Sequence, residues 1–239
     1  MDKLKIGRWM VCVLISLMMS SCIVYHPHNV PLPLLCEQGE MQIEASVSES
    51  APLLLAPALN ASFSYAPVNH LGLQAAASFT DFNNLYAQMA VGTFYPWGKA
   101  VFEGYVGYGY GLSYGGKNTD LNNNTYFIDG TYQLPFVQCN FGWRNLLDGG
   151  FDVGLGCKGG SMMPQWQKTQ LSDDGTENIE DQHNDSHFLI EPQLMLRFGT
   201  DHLKFAIHFS YAYLTEWPTE NSYFNYERFS LGLGLHYCF

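Results

Sequence analysis

The last strand-length segment of this chain, Phe229 to Phe239, has a strict period of two. Phe229, Leu231, Leu233, Leu235, Tyr237 and Phe239 are bulky and apolar, while Ser230, Gly232, Gly234, His236 and Cys238 are small or polar. On a β-strand successive side chains point to opposite faces, so this pattern gives one apolar face and one small or polar face. A helical period would mix the two sets. Whatever fold the chain adopts must keep one side of such strands out of water.

Nine earlier segments carry the same alternation: about Glu40–Ser48, Ala58–Tyr65, Leu71–Phe79, Tyr86–Tyr95, Ala100–Tyr114, Leu134–Trp143, Phe151–Met163, His187–Phe198 and Leu203–Leu214. Roughly ten residues is the length of a tilted strand crossing a bilayer, and single-chain bacterial barrels have an even strand number. Ten segments fit that parity. Short connections (Ala66–His70, Pro96–Lys99, Arg144–Gly150, Gly199–His202) alternate with mostly longer polar ones (Glu49–Pro57, Thr80–Leu85, Gly115–Gln133, Pro164–Ser186, Thr215–Tyr226). The expected fold is an all-β, ten-stranded antiparallel up-and-down transmembrane barrel with short turns in the periplasm and long loops outside. A mean hydropathy of −0.08 is compatible, because half of every barrel strand is polar. The architectural rival is a soluble lipocalin-like barrel, which would turn the bulky faces inward.

The start of the chain gives an address. Lys3, Lys5 and Arg8 precede the apolar run Trp9–Met19, which is too short to span a bilayer and suits a secretory signal. Met19-Ser20-Ser21-Cys22 resembles the bacterial lipoprotein cleavage box, with Met19 where Leu is usual. That resemblance implies cleavage before Cys22 and acylation of its sulfur and amino group. An ordinary signal peptide with an incidental Cys is the alternative. The expected division is a signal peptide over 1–21, a lipidated extended tether over 22–38 carrying Pro27, Pro31 and Pro33, and the barrel over 39–239. No Asp or Glu occurs between Cys22 and Glu37, so the expected anchor lies in the inner leaflet of the outer membrane with both termini periplasmic. Removal of residues 1–21 leaves a net charge of −13, which argues against nucleic acid as a partner.

The chain resembles the outer-membrane β-barrel lipoproteins common in Bacteroidota. The residues that carry this are Ser21-Cys22, His28-Asn29-Val30-Pro31-Leu32 leading to Glu37-Gln38-Gly39-Glu40, the turn Ala66-Pro67-Val68-Asn69-His70-Leu71-Gly72, and the terminal Phe239. In outer-membrane barrels a terminal strand ending on an aromatic is the signal read by the assembly machinery, so that machinery and outer-membrane lipid are the implied partners, with a surface complex as a further candidate. The resemblance brings no active site with it.

With the bulky faces toward lipid, Glu44, Glu103, Asp152, Lys158, Glu191, Arg197 and Lys204 face the lumen. Glu103, Asp152, Arg197 and Lys204 are expected to form a level of two acids and two bases just above the short turns. Lys158 and Glu191 are expected to meet on neighbouring strands. Unpaired charges there would be costly, so the expected role is an ionic plug in a barrel filled by side chains, the alternative being a polar path for a solute. Gly107, Gly109, Gly111, Gly154, Gly156, Gly232 and Gly234 fall on the same face and either make room for long side chains or leave a cavity.

Catalytic candidates are sparse. His208 and Ser210 resemble the His-x-Ser pair of outer-membrane lipid A deacylases, in which His activates a Ser nucleophile, but alternation places both in the lumen, away from lipid. The acidic loop Pro164–Ser186 lacks the order of a calcium-binding loop, and Asp185 with His183 or His187 would resemble outer-membrane proteases. No cofactor or metal is expected. Cys139 and Cys157 are expected opposite each other on the lipid face, while Cys36 and Cys238 meet at the periplasmic rim, where a disulfide is chemically permitted. The expected function is a non-enzymatic structural or accessory barrel, with a lipid-modifying enzyme or a narrow channel as alternatives.

Overall fold

The computed structural model describes residues 23–50, 57–80, 84–114, 118–119, 125–146, 150–171, 177–215 and 225–239. The expected signal peptide and Cys22 lie outside the described residues. Ten antiparallel strands form a closed barrel: β1 (Met41–Ser50), β2 (Pro57–Val68), β3 (Leu71–Thr80), β4 (Asn84–Trp97), β5 (Ala100–Tyr114), β6 (Thr125–Trp143), β7 (Phe151–Leu171), β8 (His187–Gly199), β9 (Leu203–Tyr211) and β10 (Phe229–Cys238). Each pairs with its sequence neighbour, and β10 closes the ring on β1 from Ser230↔Ser50 to Cys238↔Gln42. Closure leaves none of the ten with an unpaired edge, which is what a bilayer demands of spanning strands.

β6 and β7 run further than their alternation suggested. Their extensions pair from Thr125↔Leu171 to Gln133↔Met163, and Glu177–His183 adds to the end of β7. In these extensions the outward positions Asp129, Thr131, Gln133, Gln165 and Gln167 are polar while Ile128, Tyr132 and Trp166 are buried inside, so they lack the greasy outer face that marks the membrane portion.

The bulky faces point outward. Leu233 is 50% exposed and its neighbours Leu231, Leu235 and Tyr237 are exposed as well, whereas Ser230 and His236 are buried. The lipocalin alternative, which needs the reverse, is excluded. Aromatic residues crowd both ends of the outer surface: Tyr95, Trp97, Phe102 and Phe141 near the short turns, Tyr114, Tyr211, Tyr213 and Phe229 near the long loops. Such girdles match the two interfaces of a membrane around an apolar belt.

The interior differs from expectation in one major respect. Residues 25–35, read from the sequence as a tether ahead of the barrel, run through its lumen. Tyr25, Val30, Leu32, Leu34 and Leu35 are each at most 1% exposed. Cys36 lies at the short-turn rim, where its amide donates to Glu40 Oε2 at 2.7 Å. At the other end Ile23 pairs with Asn225, and the Glu227 amide donates to the Tyr25 carbonyl at 3.0 Å. Asn225 and Tyr226 lie just before β10 and meet the segment there. The two ends of the described chain therefore sit at opposite rims, Ile23 with the long loops and Cys238 with the short turns. The expectation placed the amino-terminal anchor on the side of the short turns; Ile23, the first described residue, lies at the other rim. The physical reason is barrel size. Eight strands enclose just enough room for side chains, and the diameter grows with strand number; ten leave space that one extended chain occupies.

Candidate functional site

The site is the contact between this luminal segment and the inner barrel wall. Three prolines, Pro27, Pro31 and Pro33, remove backbone donors and favour an extended chain, which lowers the number of polar groups the lumen must satisfy. From Tyr25 to Cys36 such a chain covers ~34 Å at ~3.1 Å per residue, enough to cross a ~30 Å hydrocarbon core.

The remaining backbone groups are met by side chains of the wall. Gln193 on β8 acts as a miniature strand edge: the Val30 amide donates to its Oε1 at 2.7 Å, and its Nε2 donates to the Val30 carbonyl at 2.8 Å. Gln138 Nε2 and Asn140 Nδ2 on β6 donate to the Pro31 carbonyl at 2.7 and 3.3 Å. Near the short-turn rim Glu103 accepts the Leu35 amide at 2.8 Å and Asn140 Nδ2 at 2.8 Å. The preceding residue, Leu34, is left-handed, φ +56°, and its carbonyl accepts Arg144 Nη1 at 3.2 Å. Higher up, Asn29 Nδ2 donates to Ser46 Oγ at 2.8 Å, and His28 stacks on Tyr86 at 3.9 Å with its Nε2 2.9 Å from Tyr132 Oη.

The lumen glycines serve different neighbours, Gly107 admitting Phe136, Gly154 Met195 and Gly234 the β1 strand at Ser46. A methyl carbon at Gly156 would lie 2.9 Å from Leu32 Cδ2, one at Gly142 2.8 Å from Leu34 Cδ1, and one at Gly232 3.0 Å from Asn29 Nδ2. These make room for the luminal segment. Gly109 and Gly111 instead admit the rings of Tyr86 and Tyr132. Between segment and wall, one cavity beside His28, Ser46 and Gln88 and another beside Pro31, Arg197 and His236 each amount to about 10 Å³, room for about one water.

All seven predicted lumen ionisable residues are buried. Lys158 pairs with Glu191, and Tyr25 Oη donates to the same carboxylate; the Lys158 ammonium also faces the rings of Tyr86 at 5.3 Å and Phe136 at 5.6 Å. Lys204 Nζ contacts both oxygens of Asp152 at 2.6 and 2.7 Å. Arg197 pairs with Glu44, at 2.7 Å from Nη2, not with the acids of its own level. Glu44 also meets His208 Nε2 at 2.7 Å and His236 Nδ1 at 3.4 Å. It thereby ties β1 to β8, β9 and β10 across the seam where the barrel closes. Among the described residues no base pairs with Glu103, which serves the luminal segment instead.

His208 and Ser210 lie inside, each 1% exposed. His208 Nδ1 is 3.1 Å from Gln193 Nε2, and Ser210 Oγ donates to Gln193 Oε1 at 2.8 Å. They orient the glutamine that holds Val30 and cannot reach lipid. Near the long-loop rim His183 and His187 stack with their Nε2 atoms 2.8 Å apart, while Asp185 is exposed. Burial and the neighbouring His187 push His183 below its ordinary range. Cys139 and Cys157 are cross-strand neighbours on the outer face. Cys36 and Cys238 are free thiols at the short-turn rim, both against Glu40.

Gln193 and Asn140 were missed in the sequence. The available signal was the run of amide side chains on inward positions, Gln138, Asn140 and Gln193, since such groups can mimic a strand edge. Gln193→Leu is expected to leave the buried Val30 amide and carbonyl unmet at about 1–3 kcal/mol each. The temperature at which the compact, fast-migrating electrophoretic form is lost should fall. Gln193→Glu, which keeps the acceptor but turns a buried carboxylate toward the Val30 carbonyl, should not restore it.

The short-turn rim adds an acid-sensitive contact. Burial would raise the Glu40 carboxyl, but Arg144 at 2.6 Å, the Cys36 amide and Gln42 hold it below the ordinary carboxylate range. A lowered native pKa stabilises fully above the unfolded value near 4.5, and that contribution is lost as pH falls through the native value. Urea midpoints at pH 7 and at lower pH should therefore differ less in Glu40→Gln than in the wild type.

No protein-family model and no curated protein matches the chain. Among solved structures, the N-terminal β-barrel domain of OprF from Pseudomonas aeruginosa aligns over 85% of this chain and 100% of that one, at 13% identity and TM-score 0.40. The translocator domain of the autotransporter NalP from Neisseria meningitidis aligns over 97% and 94%, at 9% and 0.47. Ail, the attachment invasion locus protein of Yersinia pestis, aligns over 84% and 99%, at 14% and 0.34. The barrel described here stands on its own strand register.

Proposed function

We propose that this chain is a lipid-anchored outer-membrane barrel, held shut by its own amino-terminal segment, that serves a structural or accessory role and neither catalyses a reaction nor passes solutes. The carrying observation is the segment itself. Tyr25 to Leu35 fills the lumen from one rim to the other and is clamped by Gln193, Gln138, Asn140 and Glu103. A pore would need this space open. Among the described residues the buried polar groups pair with one another or with the backbone of the segment, and they do not converge as a nucleophile, a base and oxyanion donors of the kind an active site requires.

Outer-membrane placement is supported by the signal-like start of the chain, the closed barrel and its apolar belt between aromatic girdles. Lipidation at Cys22 is supported by the small residues before it and by the extended chain that follows. Outer-membrane lipid, the barrel-assembly machinery acting on the terminal strand, and a surface complex contacting the long loops are the partners this role implies. The test is reconstitution of the purified full chain in planar bilayers. The expected result is a silent membrane; sustained conductance steps would overturn the reading.

A further inference from the structure

The luminal segment has a direction, and the direction assigns a side of the membrane to what precedes it. Its contacts climb the wall in order. The Cys36 amide meets Glu40 at the short-turn rim, and the Leu35 amide meets Glu103 above it. Pro31 and Val30 meet Gln138 and Gln193 at mid-height. His28 reaches Tyr132, and Ile23 pairs with Asn225 at the long-loop rim. From these contacts we infer that the chain crosses the membrane an additional time, through its own barrel, and delivers residues ahead of Ile23 to the long-loop face.

In bacterial barrels short turns face the periplasm and longer loops face outside. The connections at the rim of Cys36 are short, such as Val68 to Leu71 and Trp97 to Ala100, and those at the rim of Ile23 include the spans before β6, β8 and β10. The emerging end is therefore on the cell surface. Cys22 directly precedes Ile23, so on the reading given above its lipid inserts into the outer leaflet from outside. That reverses the leaflet expected from the sequence. It makes the barrel a conduit for its own anchor and turns a protein with a periplasmic tether into one with a surface-held lipid.

The arrangement also dictates an order of assembly. A chain ending in acyl groups is wider than the tunnel that one extended chain fills, with cavities of about one water left beside it. The barrel must close round the segment. The segment packs against the closing seam, with Asn29 on Ser46 of β1 and against Gly232 of β10.

The test uses the full chain with a short epitope inserted between Cys22 and Ile23. Control epitopes are placed at the Gly98–Lys99 turn and within residues 172–176, and heat-modifiable mobility confirms that each variant folds. Antibody binding to intact cells should equal that of the 172–176 control, with no signal from the Gly98–Lys99 control until cells are permeabilised. Detection of the inserted epitope only after permeabilisation would overturn the inference, as would a surface signal from Gly98–Lys99. Incorporation of an alkynyl fatty acid, compared between wild type and Cys22→Ala, is scored separately. Equal labelling of the two overturns the anchor reading and its leaflet assignment, while the epitope still reports the side on which the chain emerges.

Discussion

Deletion of residues 25–35 is expected to turn a silent barrel into a conducting one. The segment runs the length of the lumen and has the cross-section of an extended chain, so its removal leaves a tunnel of that width from rim to rim. The tunnel wall would carry Gln138, Asn140, Gln193 and Glu103, all stripped of backbone partners and free to bind water. The ten-stranded ring itself contributes none of the deleted residues to its register, so the barrel retains its ladder. Steady steps in planar bilayers from the deletion variant, and none from the wild type, are the predicted pair of results. A deletion variant that migrates as folded yet remains silent would mean that side chains alone block the lumen.

The second large effect concerns Lys158 and Glu191, both 0% exposed. Glu191→Leu leaves the Lys158 ammonium buried beside the rings of Tyr86 and Phe136 with its carboxylate gone, and deprives Tyr25 of its acceptor. Breaking one side of a buried pair costs about 3–5 kcal/mol, whereas replacing both members by apolar residues of similar volume is often neutral. The denaturant midpoint of Glu191→Leu should therefore drop steeply, and Lys158→Met with Glu191→Leu should recover most of the loss. An unchanged midpoint for the single variant would show that the pair is hydrated. Because Tyr25 also depends on Glu191, the single variant should loosen the upper end of the luminal segment before the strands separate.

Much of the barrel was legible because its signal is local. Alternation such as Leu231, Leu233, Leu235 against Gly232, Gly234, His236 separates the two faces without any tertiary knowledge; that the bulky one points outward is seen only in the closed ring. The partnership of Lys158 with Glu191 was legible for a related reason: their heights on adjacent strands follow from counting to the nearest turn. Arg197 with Glu44 was not, because that contact crosses the seam between the first and last strands, and counting along the chain does not give the seam register.

The luminal segment was hidden for a different reason. A proline-rich, aperiodic stretch such as Pro27 to Leu35 has the composition of a solvated linker. Nothing local distinguishes a chain extended in water from one extended in a lumen. What marks it is complementary and distant: glycines at 142, 156 and 232 that fit Leu34, Leu32 and Asn29, and amides at 138, 140 and 193 that fit bare carbonyls. Only the closed ring brings those positions together. His208 and Ser210 look like chemistry in the sequence for a similar reason. Their role as supports for Gln193 depends on Val30, which lies far away in the chain.

Amide hydrogen exchange of the folded full chain tests the central claim most directly. The amides of Val30 and Leu35, donating to Gln193 and Glu103 inside the barrel, should exchange as slowly as those of β5 and β6. Exchange of both at the rate of an unprotected linker, while the strands stay protected, would contradict a segment lodged in the lumen.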